Sequence, residues 1–156
     1  MTRLAYAAIG AVMTLAATVG VTVVADPASA SVPDTCHAYG YYNGREVDVD
    51  NYNNGGGAYV YALLCWYNGN LPGYYNTQVW WTVWDTDANS AGATIRMEWE
   101  GTDTATHYDV PPEEGRAWVE GRQASGTWKK NNIRLLYVRA CLTNHNSEAH
   151  HCGAKG

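Results

Sequence analysis

Several groups of side chains in this 156-residue sequence are spaced as if for chemistry. Asp85, Asp87 and Asn89 alternate as the oxygen ligands of a calcium loop do. The pattern then fails, because the sixth position is Ser90 rather than the glycine of the sharp turn, and the twelfth is Arg96 rather than a bidentate glutamate. His145, His150 and His151 offer the imidazoles that zinc takes. They sit on a tail with nothing in the sequence to orient the rings, and a metal site needs that support. Asp48 with Asp50, and Glu98 with Glu100, stand two apart. On a strand each pair would face one way, which a glycosidase permits but which any solvent-facing strand also shows. No Gly-x-Ser-x-Gly elbow, His-Glu-x-x-His helix or phosphate-binding glycine loop is present. If Cys36, Cys65, Cys141 and Cys152 pair, no thiol nucleophile remains. The expectation is a chain with no catalytic residue, no metal and no cofactor.

What remains is aromatic surface. The stretch 78–84, Gln-Val-Trp-Trp-Thr-Val-Trp, is rich in the branched and aromatic residues that suit a strand. Val79, Trp81 and Val83 share one face, and Trp80, Thr82 and Trp84 the other. One face must fill a core; the other must be covered by protein, sugar or a partner. With Trp118 from another strand, Trp80 and Trp84 are candidates for a platform of the kind that stacks on sugars or anchors interfaces. The chain has seven tryptophans, twelve tyrosines and no phenylalanine, so the polar tips of its aromatics also need partners or water.

Residues 1–30 read as a secretory signal, with Arg3, an apolar run over 4–25, and Ala28-Ser29-Ala30 as the cleavage site. Residues 31–156 are then one exported domain, with no membrane attachment after cleavage. The formal net charge is −5, which argues against a nucleic-acid partner. An even count of cysteines in an exported chain implies two disulfides, in any of three pairings. Cys65 and Cys141 fall on the faces opposite the aliphatic residues, beside tyrosines. That favours Cys36–Cys65 and Cys141–Cys152, each tying an end of the chain to the outside of the fold.

The elements that must position these residues are strands. Val47 and Val49 alternate with acids after an Asn43-Gly44 turn. Val60, Ala62, Leu64 and Trp66 oppose Tyr59, Tyr61, Leu63, Cys65 and Tyr67. Ala93, Ile95, Met97 and Trp99 oppose Thr94, Arg96, Glu98 and Glu100, expected outside. A strand over 116–123, a Ser125-Gly126 turn and a last strand over 132–143 complete the series. Residues 53–57 read as a flexible loop, 68–73 as a second loop, and 31–35 as an extended arm. No helical period is sustained. The predicted class is all-β, an antiparallel, immunoglobulin-like β-sandwich, with a small closed barrel as the alternative.

The segments Leu64-Cys65-Trp66-Tyr67-Asn68-Gly69, Val138-Arg139-Ala140-Cys141-Leu142 and Cys152-Gly153 resemble the small exported β-sandwich proteins of filamentous actinobacteria, in particular the small linking subunit of umbrella toxin particles. The resemblance implies a non-enzymatic adaptor that joins a lectin-bearing subunit to a large toxin subunit used against competing bacteria. The candidate partner-binding residues are the arm Ser31, Val32, Pro33, Asp34 and Thr35, and the face Trp80, Thr82 and Trp84 with Trp118. Two other readings stand beside it. A secreted inhibitor of a protease or glycosidase would present a rigid loop such as 68–73. A carbohydrate-binding module would hold Trp80, Trp84 and Trp118 coplanar and exposed.

Overall fold

The structure, a computed structural model, describes residues 32–145 and 147–156. The expected signal segment and Ser31 lie outside the described residues. A short helix, α1 (Asp34–Ala38), precedes seven strands: β1 (Asn43–Asp50), β2 (Ala58–Asn68), β3 (Tyr75–Asp85), β4 (Gly92–Glu100), β5 (Thr106–Asp109), β6 (Gln123–Asn144) and β7 (Ser147–His150). All pairings are antiparallel, in the order β1-β2-β3-β6-β4-β5, with β7 on β6. The expected all-β antiparallel fold with two disulfides is what forms. Among the described residues the outer strands β1 and β5 do not pair, so the sheet stays open rather than closing as a barrel.

Strand β6 organises the molecule. Its first half pairs with β3, from Gln123 opposite Trp84 to Ile133 opposite Tyr75, and its second half pairs with β4, from Arg134 opposite Glu100 to Thr143 opposite Gly92. Between the halves the register slips on both sides, and Asn132 and Leu135 take left-handed backbone conformations, with φ of 53° and 54°. Extra residues of this kind bend a strand and let it pass from one layer to the next. The two layers enclose a single cluster. Val60, Ala62, Leu64, Val79, Trp81 and Val83 come from the first, and Ile95, Met97, Val138 and Ala140 from the second.

The alternation read from the sequence places these residues correctly, because burying one face forces a period of two. Several local expectations fail. The expected strand over 116–123 does not form, and only Gln123 is in a strand, as the first residue of β6: Ala117 makes a lone bridge to Ala93, after which the chain turns at Gly121 (φ 72°) and leaves Val119 exposed. Gly126 lies inside β6 rather than in a turn, since a Cβ there would come 2.6 Å from the Trp81 ring. Gly44 likewise lies in β1, where a Cβ would collide with the Cys36 sulfur. The run Gly55-Gly56-Gly57 is a loop, as expected, with hydrogen bonds at both ends. Buried Asn51 accepts the Ala58 N–H at 2.8 Å and donates to the His151 carbonyl at 3.1 Å, and the Gly57 carbonyl accepts the Thr86 N–H. Asp34 and Thr35 are helical, not extended.

Both expected disulfides form, Cys36–Cys65 and Cys141–Cys152, with no free cysteine. Cys36–Cys65 lies on the outer face of the first layer. There Cys36, Tyr41, Leu63 and Cys65 make a second, smaller buried cluster against which Val32 and Trp80 pack. The bridge thus nails a helix too short to persist alone onto the sheet.

Candidate functional site

Register across four strands builds the outer face of the first layer. Asp48, Tyr61, Thr82 and Ser125 stand opposite one another in one rung. The next rung is Asp50, Tyr59, Trp84 and Gln123, and the one on the other side is Glu46, Leu63, Trp80 and Thr127. The face therefore grades from carboxylates on β1, through aromatics on β2 and β3, to hydroxyls and an amide on β6. Adjacent columns are about 4.8 Å apart, and Trp80 and Trp84 are separated by roughly 13 Å along their strand.

Local contacts fix these side chains. The Tyr59 hydroxyl donates to Asp48, and its ring lies 5.4 Å from that of Trp84. Thr82 and Ser125 share a hydrogen bond of 3.0 Å. Hydrogen bonding to Asp48 holds the Tyr59 hydroxyl above its ordinary pKa; for Tyr61, burial comes first and the bond to Glu46 adds to it. Both phenols stay protonated donors. At one end α1 closes the face, with Tyr39 4.9 Å and Tyr41 6.2 Å from the Trp80 ring, and the Tyr41 hydroxyl donating to Gln78 at 3.1 Å. Beside α1 a shallow groove of about 540 Å³ runs between Thr35, Tyr61, Trp80, Thr82 and Thr127. The other end, around Tyr59, Thr82 and Trp84, is half-exposed.

The structure thus brings Thr35, Trp80 and Thr82 to one groove and sets Trp84 beside it. Val32 packs onto the same cluster, half-buried, as is Pro33, while Asp34 is exposed. Trp118 is elsewhere. Its Nε1 donates to the Glu113 carbonyl at 2.9 Å, and its ring stacks on His145 at 4.3 Å and 7°. The coplanar trio of Trp80, Trp84 and Trp118 that a sugar platform would need does not form, because Trp118 lies in the β5–β6 connection rather than on a strand of this face. The sequence pattern put Tyr59 and Tyr61 on the outer side of β2 without joining them to the tryptophans. It missed Ser125 and Thr127 because Gly126 looked like a turn.

The other candidates have local partners. Asp85 accepts the Asp87 N–H at 3.3 Å, and Asn89 accepts that of Ala91 at 3.0 Å, both as turn-forming bonds. His145 lies on Trp118, whereas His150 and His151 contact each other. No group of three His, Cys, Asp or Glu side chains among the described residues converges as metal ligands would. Glu100 pairs with Arg134. Glu98, expected outside, is buried beneath Arg96, Arg139 and Lys155. No family model matches the chain, and neither a characterised protein nor a solved structure does.

Proposed function

We propose that this is a secreted, non-enzymatic adaptor that holds a protein partner against the outer face of its first layer. The observation that carries the reading is the run of rungs from Glu46, Asp48 and Asp50 through Tyr59, Tyr61, Trp80 and Trp84 to Ser125 and Thr127. Rigid aromatics carrying polar tips supply contact area at low entropic cost, and such residues concentrate binding energy. The column of three acids along one side suits a partner with a basic rim. Two disulfides, and no helix among the described residues long and apolar enough to cross a membrane, accord with an exported protein. The resemblance to umbrella toxin linking subunits gives the partners a class: a lectin-like subunit and a large toxin subunit, joined for interbacterial competition.

The test is mild purification from native culture medium of the parent and of a Tyr61→Ala, Trp84→Ala variant. Trp80 is left intact because it belongs to the cluster under α1. We expect a large co-purifying particle for the parent and loss of a component for the variant, at an unchanged thermal midpoint. A variant that keeps every partner overturns the reading.

One observation favours the inhibitor alternative. Loop 68–73 is braced, with the Gly69 N–H bonded to the Tyr74 carbonyl at 2.7 Å and the Asn70 N–H to Asn132 at 3.1 Å, and it presents exposed Leu71 and Pro72. A single co-purifying hydrolase, inhibited by the parent and not by Leu71→Asp, would establish that reading instead.

A further inference from the structure

A second concave site lies away from the aromatic face. Asp85, at the end of β3, Asp87, Ser90, Gly92 at the start of β4, the 118–120 segment and Asn144 and His145 enclose a pocket of about 800 Å³. Its walls differ in chemistry. Trp118 and His145, stacked ring on ring, and exposed Val119 give an aromatic and apolar side, where the His145 Nδ1 lies 3.6 Å from the Glu113 carboxylate. Asp85, Asp87 and Glu120 give an acidic side, and no lysine or arginine lines the pocket among the described residues.

Asp85 is the anomaly. Its side chain belongs to a residue only 3% exposed, yet among the described residues its carboxylate pairs with no cation. Oδ1 accepts one N–H, from Asp87 at 3.3 Å, and Oδ2 accepts none among the described residues. Burial pushes its carboxyl above the ordinary aspartate value. The Asp87 N–H opposes this, while the charges of Glu120 and Asp87 add to it. Oδ2 is not among the sealed polar atoms and opens toward the pocket, where a largely buried carboxylate facing two further acids favours a cation. The acids are spread along a wall and do not converge, which suits an extended organic cation better than a metal ion.

We propose that this pocket binds a primary ammonium carried on a short organic stem, the charge meeting Asp85 and Glu120 and the stem lying along Trp118, His145 and Val119. A lysine side chain and an amino sugar both carry such an ammonium; the two share the chemistry, and the experiment separates them.

The intact protein, ¹⁵N-labelled, is titrated with N-acetyl-lysine methylamide and, separately, with glucosamine. The Trp118 indole N–H, assigned with Trp118→Phe, reports binding. The controls are the Nε-acetylated lysine probe and N-acetylglucosamine, which keep the stem and lose the charge. We expect one ammonium probe to saturate below about 20 mM, its acetylated counterpart to do nothing, and the winner to name the source. Glu120→Gln, at an exposed position, should weaken binding about fivefold or more. Asp85→Asn keeps the acceptor for the Asp87 N–H and should abolish binding while raising the thermal midpoint, as relief of a functional strain does. The proposal is overturned if neither ammonium saturates, if the acetylated probes bind equally, if Glu120→Gln changes nothing, or if Asp85→Asn lowers the midpoint.

Discussion

Replacing Glu98 by glutamine tests how the second layer is held to the end of the chain. Its carboxylate, on the outer side of β4 with a side chain 7% accessible, pairs with Arg96, with Arg139 at 3.0 Å and with Lys155 at 3.1 Å. Arg139 also donates to the Gly153 carbonyl, and the backbones of Gly153 and Gly156 bond to those of Ala140 and Val138. One anion therefore joins β4, β6 and the tail. Stripping the partner from a fully buried ion costs about 3–5 kcal/mol. Here the three cations keep 23–42% of their side chains accessible, so water recovers part of that loss, and exposed pairs contribute about 0.2–1 kcal/mol each. Glu98→Gln should then cost about 2 kcal/mol at neutral pH, read as a lower urea midpoint at an unchanged slope. The effect depends on pH with a definite sign. Burial alone would raise the Glu98 pKa; the hydrogen bonds from Arg96 and Lys155 and the charges of Arg96 and Arg139 outweigh it and hold it below the ordinary 4.5. A depressed folded pKa contributes stability that is complete above 4.5 and disappears as pH falls through the folded value. The gap between parent and variant should therefore be constant from pH 8 to 6 and close under acid. A gap under about 0.5 kcal/mol at pH 7, or one that stays constant down to pH 3, refutes the reasoning.

Two further outcomes follow from geometry. Removing Cys36–Cys65, which spans 29 residues, by alanine at both positions should cost about 3.6 kcal/mol by loop entropy, against about 2.8 for Cys141–Cys152, which spans 11; urea unfolding of the two double variants checks the order. Gly126→Val should lower the thermal midpoint, by about 1–3 kcal/mol equivalent or more, because its side chain would enter the space of the Trp81 ring. A neutral result would mean that the ring moves freely, and circular dichroism in the aromatic region would show it.

How far the sequence discloses this fold depends on which physical signal each element carries. β2, β3, β4 and the second half of β6 are legible because a buried face imposes strict alternation: Val60, Ala62 and Leu64, then Ile95 and Met97, then Val138 and Ala140, all fall inside as expected. Helix α1 is invisible because five residues complete little more than one turn and show no period; its place is set by the Cys36 bridge. Glu98 misleads because an acid on the outer side of a strand looks solvated until the register places Arg139 beside it and the tail brings Lys155. The glycines mislead for another reason. Gly44 and Gly126 share a letter with turn glycines but are required because a sulfur and an indole approach the backbone, and only the packed structure distinguishes those causes.

The candidate site depends on that same distinction. From sequence, Trp80, Thr82 and Trp84 are one face of one strand, and nothing says which columns flank them. The flanks follow from the pairing of β6, and the first half of that strand could have been set with either parity. Had it slipped by one residue, Ala124, Gly126 and Trp128 would point outward, and the polar Ser125 and Thr127 would turn into the core against Trp81. Gly126 forbids the slip: the Trp81 ring occupies the space a side chain would need at that point, so only a glycine can stand opposite it. The hydroxyl column of the outer face is thus placed by a contact made on the inner one. A residue with no side chain, read from sequence as a break between strands, is what sets Ser125 and Thr127 beside the tryptophans.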